Sequence, residues 1–137
     1  MSYASRVFAV AGAFNLLVGI GGFVAPEVTC GLLGVPLPTN RVFMQLAMWL
    51  IIVVGVGYCL TAVHPERNRD LMRIGALGKL LVLPLIVLAW RRGDASGEGV
   101  VASSGDLILA LLFLDVLRRL PPDEPRRALV SGTRMDQ

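Results

Sequence analysis

The amino-acid sequence predicts an all-α membrane protein, a four-transmembrane-helix bundle with its N-terminus and C-terminus in the cytoplasm. Three observations carry this. The 137 residues have a mean hydropathy of +0.68, with 55% hydrophobic and only 17% charged residues, which is greasier than an ordinary soluble domain. Four apolar runs, at residues 7–25, 42–63, 71–90 and 100–117, are each long enough to cross a hydrocarbon core of about 30 Å as a helix. Lipid demands helices of such runs, because a spanning helix satisfies its own backbone groups. Arginines, finally, gather on one side of the runs.

The first run follows Arg6. Its one candidate cleavage point, after Ala25, would set bulky Phe23 where a signal peptidase needs a small residue and Pro26 directly downstream, so the run reads as retained. Residues 26–40 place Leu32, Leu33, Val35 and Leu37 between glycines and prolines, a composition suited to lying on the membrane surface or capping the bundle. Within the second run, Val54-Gly55-Val56-Gly57-Tyr58 is spelled like a potassium filter, but a filter needs non-helical backbone lining a cavity. The tight polar segment 64–70 makes the second and third runs antiparallel neighbours. Residues 91–105 are rich in Gly and Ser and read as a mobile connection. The fourth run carries Ser103, Ser104, Gly105 and Asp106 in its first turns, so its helix is expected to begin near Ser103 and to sit short or tilted. Residues 1–120 form the transmembrane domain, and the proline-broken, charged stretch 121–137 reads as a disordered cytoplasmic tail.

With the N-terminus inside, Arg6, Arg67, Arg69, Arg73, Arg118, Arg119, Arg126, Arg127 and Arg134 are cytoplasmic, and only Arg41, Arg91 and Arg92 lie outside. The positive-inside rule sets the orientation accordingly. It also separates Cys30, in the first outer loop, from Cys59, near the inner end of the second run, so no intrachain disulfide is expected. Neither cysteine has ligand-spaced partners, and no metal site is indicated. The basic pI near 9.4 comes with no nucleic-acid recognition motif, and the arginines follow membrane topology instead.

Lys79 is the only lysine and sits mid-run among Leu, Val, Ile, Ala and Gly. A charge at the centre of a membrane helix costs roughly 2.5–3.5 kcal/mol and marks a partner or a function. Counting 1.5 Å per residue from the inner arginines and His64 puts Asp115 about 4–5 Å, Lys79 and Tyr58 about 9 Å, and Asn15 about 13 Å above the inner boundary. Each comes from a different run, and Asn15, Lys79 and Tyr58 each share a helical face with Gly and Ala residues, the kind that lines close helix contacts. The candidate polar interior is therefore Lys79, Asp115, Asn15 and Tyr58, with Asp106 and Gln45 as secondary candidates. Asp106 and Asp115, nine residues apart, fall on opposite helical faces, so one lysine cannot serve both. Depth favours Asp115. Against it stands its local pairing with Arg119 four residues on, while Asp106 can be read as a helix cap. A lysine snorkelling alone toward cytoplasmic water is the remaining reading.

Gly-Ala-Phe-Asn-Leu-Leu-Val-Gly at 12–19, the turn Ala25-Pro26-Glu27, Leu-Leu-Gly at 32–34 and Gly78-Lys79-Leu80 give the chain a plan that resembles small bacterial four-helix membrane proteins of the DoxX-like kind. The resemblance implies an inner-membrane bundle, in some cases a subunit beside quinone-linked or redox complexes, and it transfers no site residue. Small multidrug transporters are similar in size, but they use an acidic residue in the first helix where this chain has Asn15. Glutathione-dependent membrane enzymes also have four helices, yet segment 64–70 matches their motif in neither order nor spacing.

The function these residues suggest is that of a non-catalytic binding or assembly subunit. It would be a homo-oligomer or part of a larger membrane complex, holding a lipid or quinone-like molecule between its helices and requiring no cofactor. The alternatives are an oligomeric transporter or channel with the polar residues along its path, and an intramembrane enzyme using Lys79 and an aspartate for proton transfer. No nucleophile-and-base signature accompanies the last.

Overall fold

The computed structural model describes residues 1–121. Its order is α1 (Tyr3–Val24), the short α2 (Pro26–Leu32), α3 (Arg41–Val63), a single 3-10 turn (Pro65–Arg67), α4 (Arg69–Arg92) and α5 (Gly97–Arg119). The four long helices are each apolar and long enough to cross a membrane. The chain is therefore a small multi-pass membrane protein built from helices.

Helix ends follow local chemistry. Ser2 caps α1 by accepting from the Ser5 N–H at 3.1 Å, and Asn40 caps α3 by accepting from the Val42 N–H at 3.0 Å. Pro26 opens α2 at its first position, where a missing N–H costs nothing. Gly93 ends α4 in the left-handed conformation at φ 82°, which Gly adopts without a Cβ penalty.

Two sequence expectations need correction here. α5 begins at Gly97, not near Ser103. Ser103 and Ser104 lie inside the helix, their hydroxyls donating back to the carbonyls of Val100 (3.0 Å) and Val101 (2.6 Å), so neither ends it. The long mobile connection expected at 91–105 accordingly shrinks to Gly93–Ser96. The tail at 122–137 lies outside the described residues.

The helices alternate up and down. α1 packs along α3, and α4 along α5, while α1 with α5 and α3 with α4 share narrower seams. One end of the bundle carries Arg6, Arg67, Arg69, Arg73, Arg118 and Arg119, and the other carries Arg41, Arg91 and Arg92.

Among the spanning helices, α1 and α3 bring their backbones close together. A Cβ on Gly12 would lie 3.1 Å from both the Cys59 nitrogen and the Gly55 oxygen, and one on Gly19 would lie 3.1 Å from the Ile52 nitrogen and the Met48 oxygen. Glycine at both positions lets the two backbones come this close, the small-residue packing that replaces a hydrophobic driving force inside lipid.

The core joining all four helices sits at the arginine-rich half. Phe8 stacks on Phe113 with centroids 4.2 Å apart, Tyr58 stands edge-on to both at 5.9 and 5.1 Å, and Met72 completes the cluster from α4. A second, smaller cluster of Cys30, Met44 and Met48 anchors α2 at the opposite end. There the Ser96 N–H donates to the Gly34 carbonyl at 2.8 Å, so the segment after α2 caps the bundle by tying itself to the start of α5.

Candidate functional site: a charge lock between the helices

Lys79 lies on the face of α4 that also carries Met72, Gly75 and Ala76, all buried. Tyr58 of α3 fills the space that Gly75 leaves open, since a Cβ there would meet the tyrosine hydroxyl at 2.7 Å. The lysine stem thus enters the bundle directly above an aromatic floor.

Its ammonium is held from three other helices. It forms a salt bridge with the Asp106 carboxylate of α5 and donates to Asn15 Oδ1 of α1 at 3.2 Å. The Phe14 ring of α1 and the Tyr58 ring of α3 lie 5.6 and 5.8 Å from the nitrogen to their centroids, within the range of cation–π attraction. The lysine side chain is 7% exposed and that of Asp106 20%. A buried charge is tolerated when it is both paired and hydrogen-bonded, and this one is. Lys79 does not snorkel.

The four-helix polar cluster exists, but its acid is Asp106. Asp115, favoured by depth, lies at the arginine-rich rim, where it accepts from Arg119 Nε at 2.8 Å and from the Tyr3 hydroxyl at 3.0 Å; Arg119 also lies over the Tyr3 ring. The correction follows from the start of α5. With Gly97 as its first residue, Asp106 is in mid-helix opposite Lys79 and not at a helix end. The opposite-face argument is consistent with this outcome, since each aspartate serves a different cation. Gln45 also falls outside the cluster, on the exposed face of α3 near its first turn.

Sequence reasoning missed Phe14 as a partner of the lysine. It stands beside Asn15 in a run where every other interior group was judged by polarity, and cation–π contact gives no polarity signal. Also missed was the cleft of about 210 Å³ where α1, α2 and α3 meet, lined by Gly22, Phe23, Pro26, Glu27, Arg41 and Gln45 among others. At its rim Arg41 bridges Glu27 at 3.2 Å, with side chains 65% and 60% exposed. Among the described residues no group of three or more His, Cys, Asp or Glu side chains is placed to hold a metal ion.

Comparison with family models, with curated proteins and with solved structures finds no match for this chain.

Proposed function

We propose that this protein is a non-catalytic binding or assembly subunit of the bacterial inner membrane, with both termini cytoplasmic, that holds a lipid or quinone-like molecule between its helices. The observation that carries this reading is the closure of the charge lock. Lys79, Asp106 and Asn15 satisfy one another inside a single chain, beside the Phe14 and Tyr58 rings. A path-lining lysine would instead need water at its head. A transport route lined by all four predicted polar residues would also need Asp115 beside Lys79, and Asp115 is engaged at the rim.

What the bundle offers to partners lies outside the lock. A Cβ at Gly78 or Gly105 would meet nothing within 4 Å, and such small, open helix faces suit packing against a further helix. The arginine asymmetry supports the orientation. The resemblance to DoxX-like proteins remains part of the proposal and is carried by the sequence segments 12–19, 25–27, 32–34 and 78–80 alone.

Native mass spectrometry of the protein in mild detergent tests the reading, because it reports stoichiometry, retained partners and retained lipophilic ligands together. A chain carrying a lipophilic molecule, alone or within a defined oligomer, is expected. A bare monomer overturns the proposal.

A further inference from the structure

The cleft at the junction of α1, α2 and α3 differs in kind from the interior lock. Its walls are the last turn of α1 (Gly22, Phe23), the first turn of α2 (Pro26, Glu27) and the first two turns of α3 (Arg41, Gln45). It therefore opens at the end of the membrane-spanning helices, at head-group depth. Its volume of about 210 Å³ is below the several hundred Å³ of pockets that enclose a whole ligand, and fits a polar group alone.

The rim presents one charge of each sign. Arg41 and Glu27 touch through one nitrogen and one oxygen at 3.2 Å, which leaves most of the guanidinium donors and the second carboxylate oxygen open. Exposed pairs of this kind are weak and readily exchanged. A ligand that carries an anion and a cation side by side can insert between the two while leaving the cleft electrically neutral. A purely anionic ligand would meet Arg41 but be repelled by Glu27.

The face of α3 below the rim continues the pattern. Arg41, Gln45, Trp49 and Val53 follow one another at intervals of four residues, each turned by about 40° from the one before, so they trace a stripe that winds about a third of the way round the helix. At 1.5 Å per residue they descend about 18 Å from the surface into the bilayer. Trp49 meets Phe23 edge-on, with centroids 5.6 Å apart, and Trp49 and Val53 are 53% and 62% exposed. The stripe runs from guanidinium through amide and indole to aliphatic carbon. A phospholipid has the same order of polarity from head group to acyl chain.

From this juxtaposition we infer that the cleft is a binding site for a zwitterionic phospholipid whose head group ends in a primary ammonium. Arg41 receives the phosphate through paired N–H donors. Glu27 accepts from the ammonium, and the Gln45 amide oxygen offers it a second acceptor. The acyl chains lie along Trp49 and Val53. A quaternary ammonium has no N–H to give Glu27, so a choline head group is the poorer ligand. The inference rests on the reading of the chain as a lipid-holding subunit and deepens it by naming the lipid and its site.

The test exposes the full-length protein in mild detergent to equal amounts of dioleoyl phosphatidylethanolamine, phosphatidylcholine and phosphatidylglycerol, and counts retained lipids by native mass spectrometry. Phosphatidylethanolamine is expected to be retained in clear excess. Arg41→Ala should lower its retention about tenfold, the equivalent of one lost charge-assisted contact. Glu27→Gln should shift retention toward phosphatidylglycerol. Both side chains are exposed, and unchanged thermal unfolding of the variants confirms that they fold. Glu66→Gln, at the opposite end of the bundle, should retain lipid as the wild type does.

Retention that ignores head group and variant alike overturns the site but leaves the lipid-holding reading intact. A wild-type chain that carries no lipid overturns both. Soluble O-phosphoethanolamine that displaces the lipid at comparable concentration would mean that the cleft takes a free phosphoamine, and overturns the assignment to a lipid.

Discussion

Lys79 and Asp106 meet across the α4–α5 seam from near the middle of both helices, and the same ammonium also donates to Asn15 of α1. Because α1 and α4 share no extensive seam of their own, this side chain ties together helices that backbone packing leaves apart.

Removing one partner should therefore be far worse than removing both. Asp106→Ala leaves a buried, uncompensated ammonium and is expected to cost about 3–5 kcal/mol, whereas Lys79→Met combined with Asp106→Leu should come close to the wild type or exceed it. Denaturant titration in detergent, followed by circular dichroism, measures both. Asp115→Asn, at the exposed rim, should change the midpoint much less. Equal losses for the single and double variants would remove the lock from the account of stability.

The α1–α3 seam predicts a contrast among glycines. Gly12→Val and Gly19→Val push a side chain into backbone of α3 and should each destabilise by about 1–3 kcal/mol. Gly78→Ala enters open space and should fall within about 1 kcal/mol of the wild type, on the stabilising side, because alanine favours the helix. Parallel thermal unfolding of the three variants checks the order.

Cys30 is buried beside Met44, with its Sγ 3.9 Å from the Met44 Sδ. Burial, and next the negative charge of Glu27, raise its thiol pKa above the ordinary value. A raised pKa keeps the neutral thiol, which is not the nucleophile, through neutral pH. In a Cys59→Ser background, alkylation of the native protein should be slow at pH 7.5 and accelerate only as pH climbs beyond the usual thiol range of about 8.5. Fast labelling at neutral pH would contradict the burial. No bond between the two cysteines is expected on a non-reducing gel, since Cys59 lies fifteen residues, or about 22 Å, along α3 from Met44.

Topology can be read directly. A green fluorescent protein fused to the C-terminus should fluoresce, and alkaline phosphatase fused after Gly93, between α4 and α5, should be active. The opposite pattern of reporters would reverse the orientation drawn from the arginines.

The helices were legible in the chain because lipid leaves few choices. α3 and α4 run to within two residues of the apolar runs that announced them. Segment 54–58 is continuous helix despite its filter-like letters. The start of α5 was not legible, since serines that break a helix in water can bond back to their own turn in an apolar surrounding. That one boundary moved Asp106 from helix end to mid-helix and changed the identity of the lysine's partner. Phe14, Glu27 and Arg41 were illegible for a different reason: each matters through a neighbour that is distant in sequence.

By itself the sequence determined the solvent of this protein, the number of its spanning helices, their alternation, and the one interior position where a charge demanded company. Periodicity and hydropathy are local properties, and depth can be counted along a helix. The tertiary structure alone decided which aspartate answers Lys79, that Asn15, Phe14 and Tyr58 close around it, and that α2 folds back to shape a charged cleft at the membrane surface. Those outcomes depend on helix rotation and register. Both are expressed in contacts between residues far apart in the chain, such as the glycine contacts of α1 with α3 and the Ser96–Gly34 hydrogen bond.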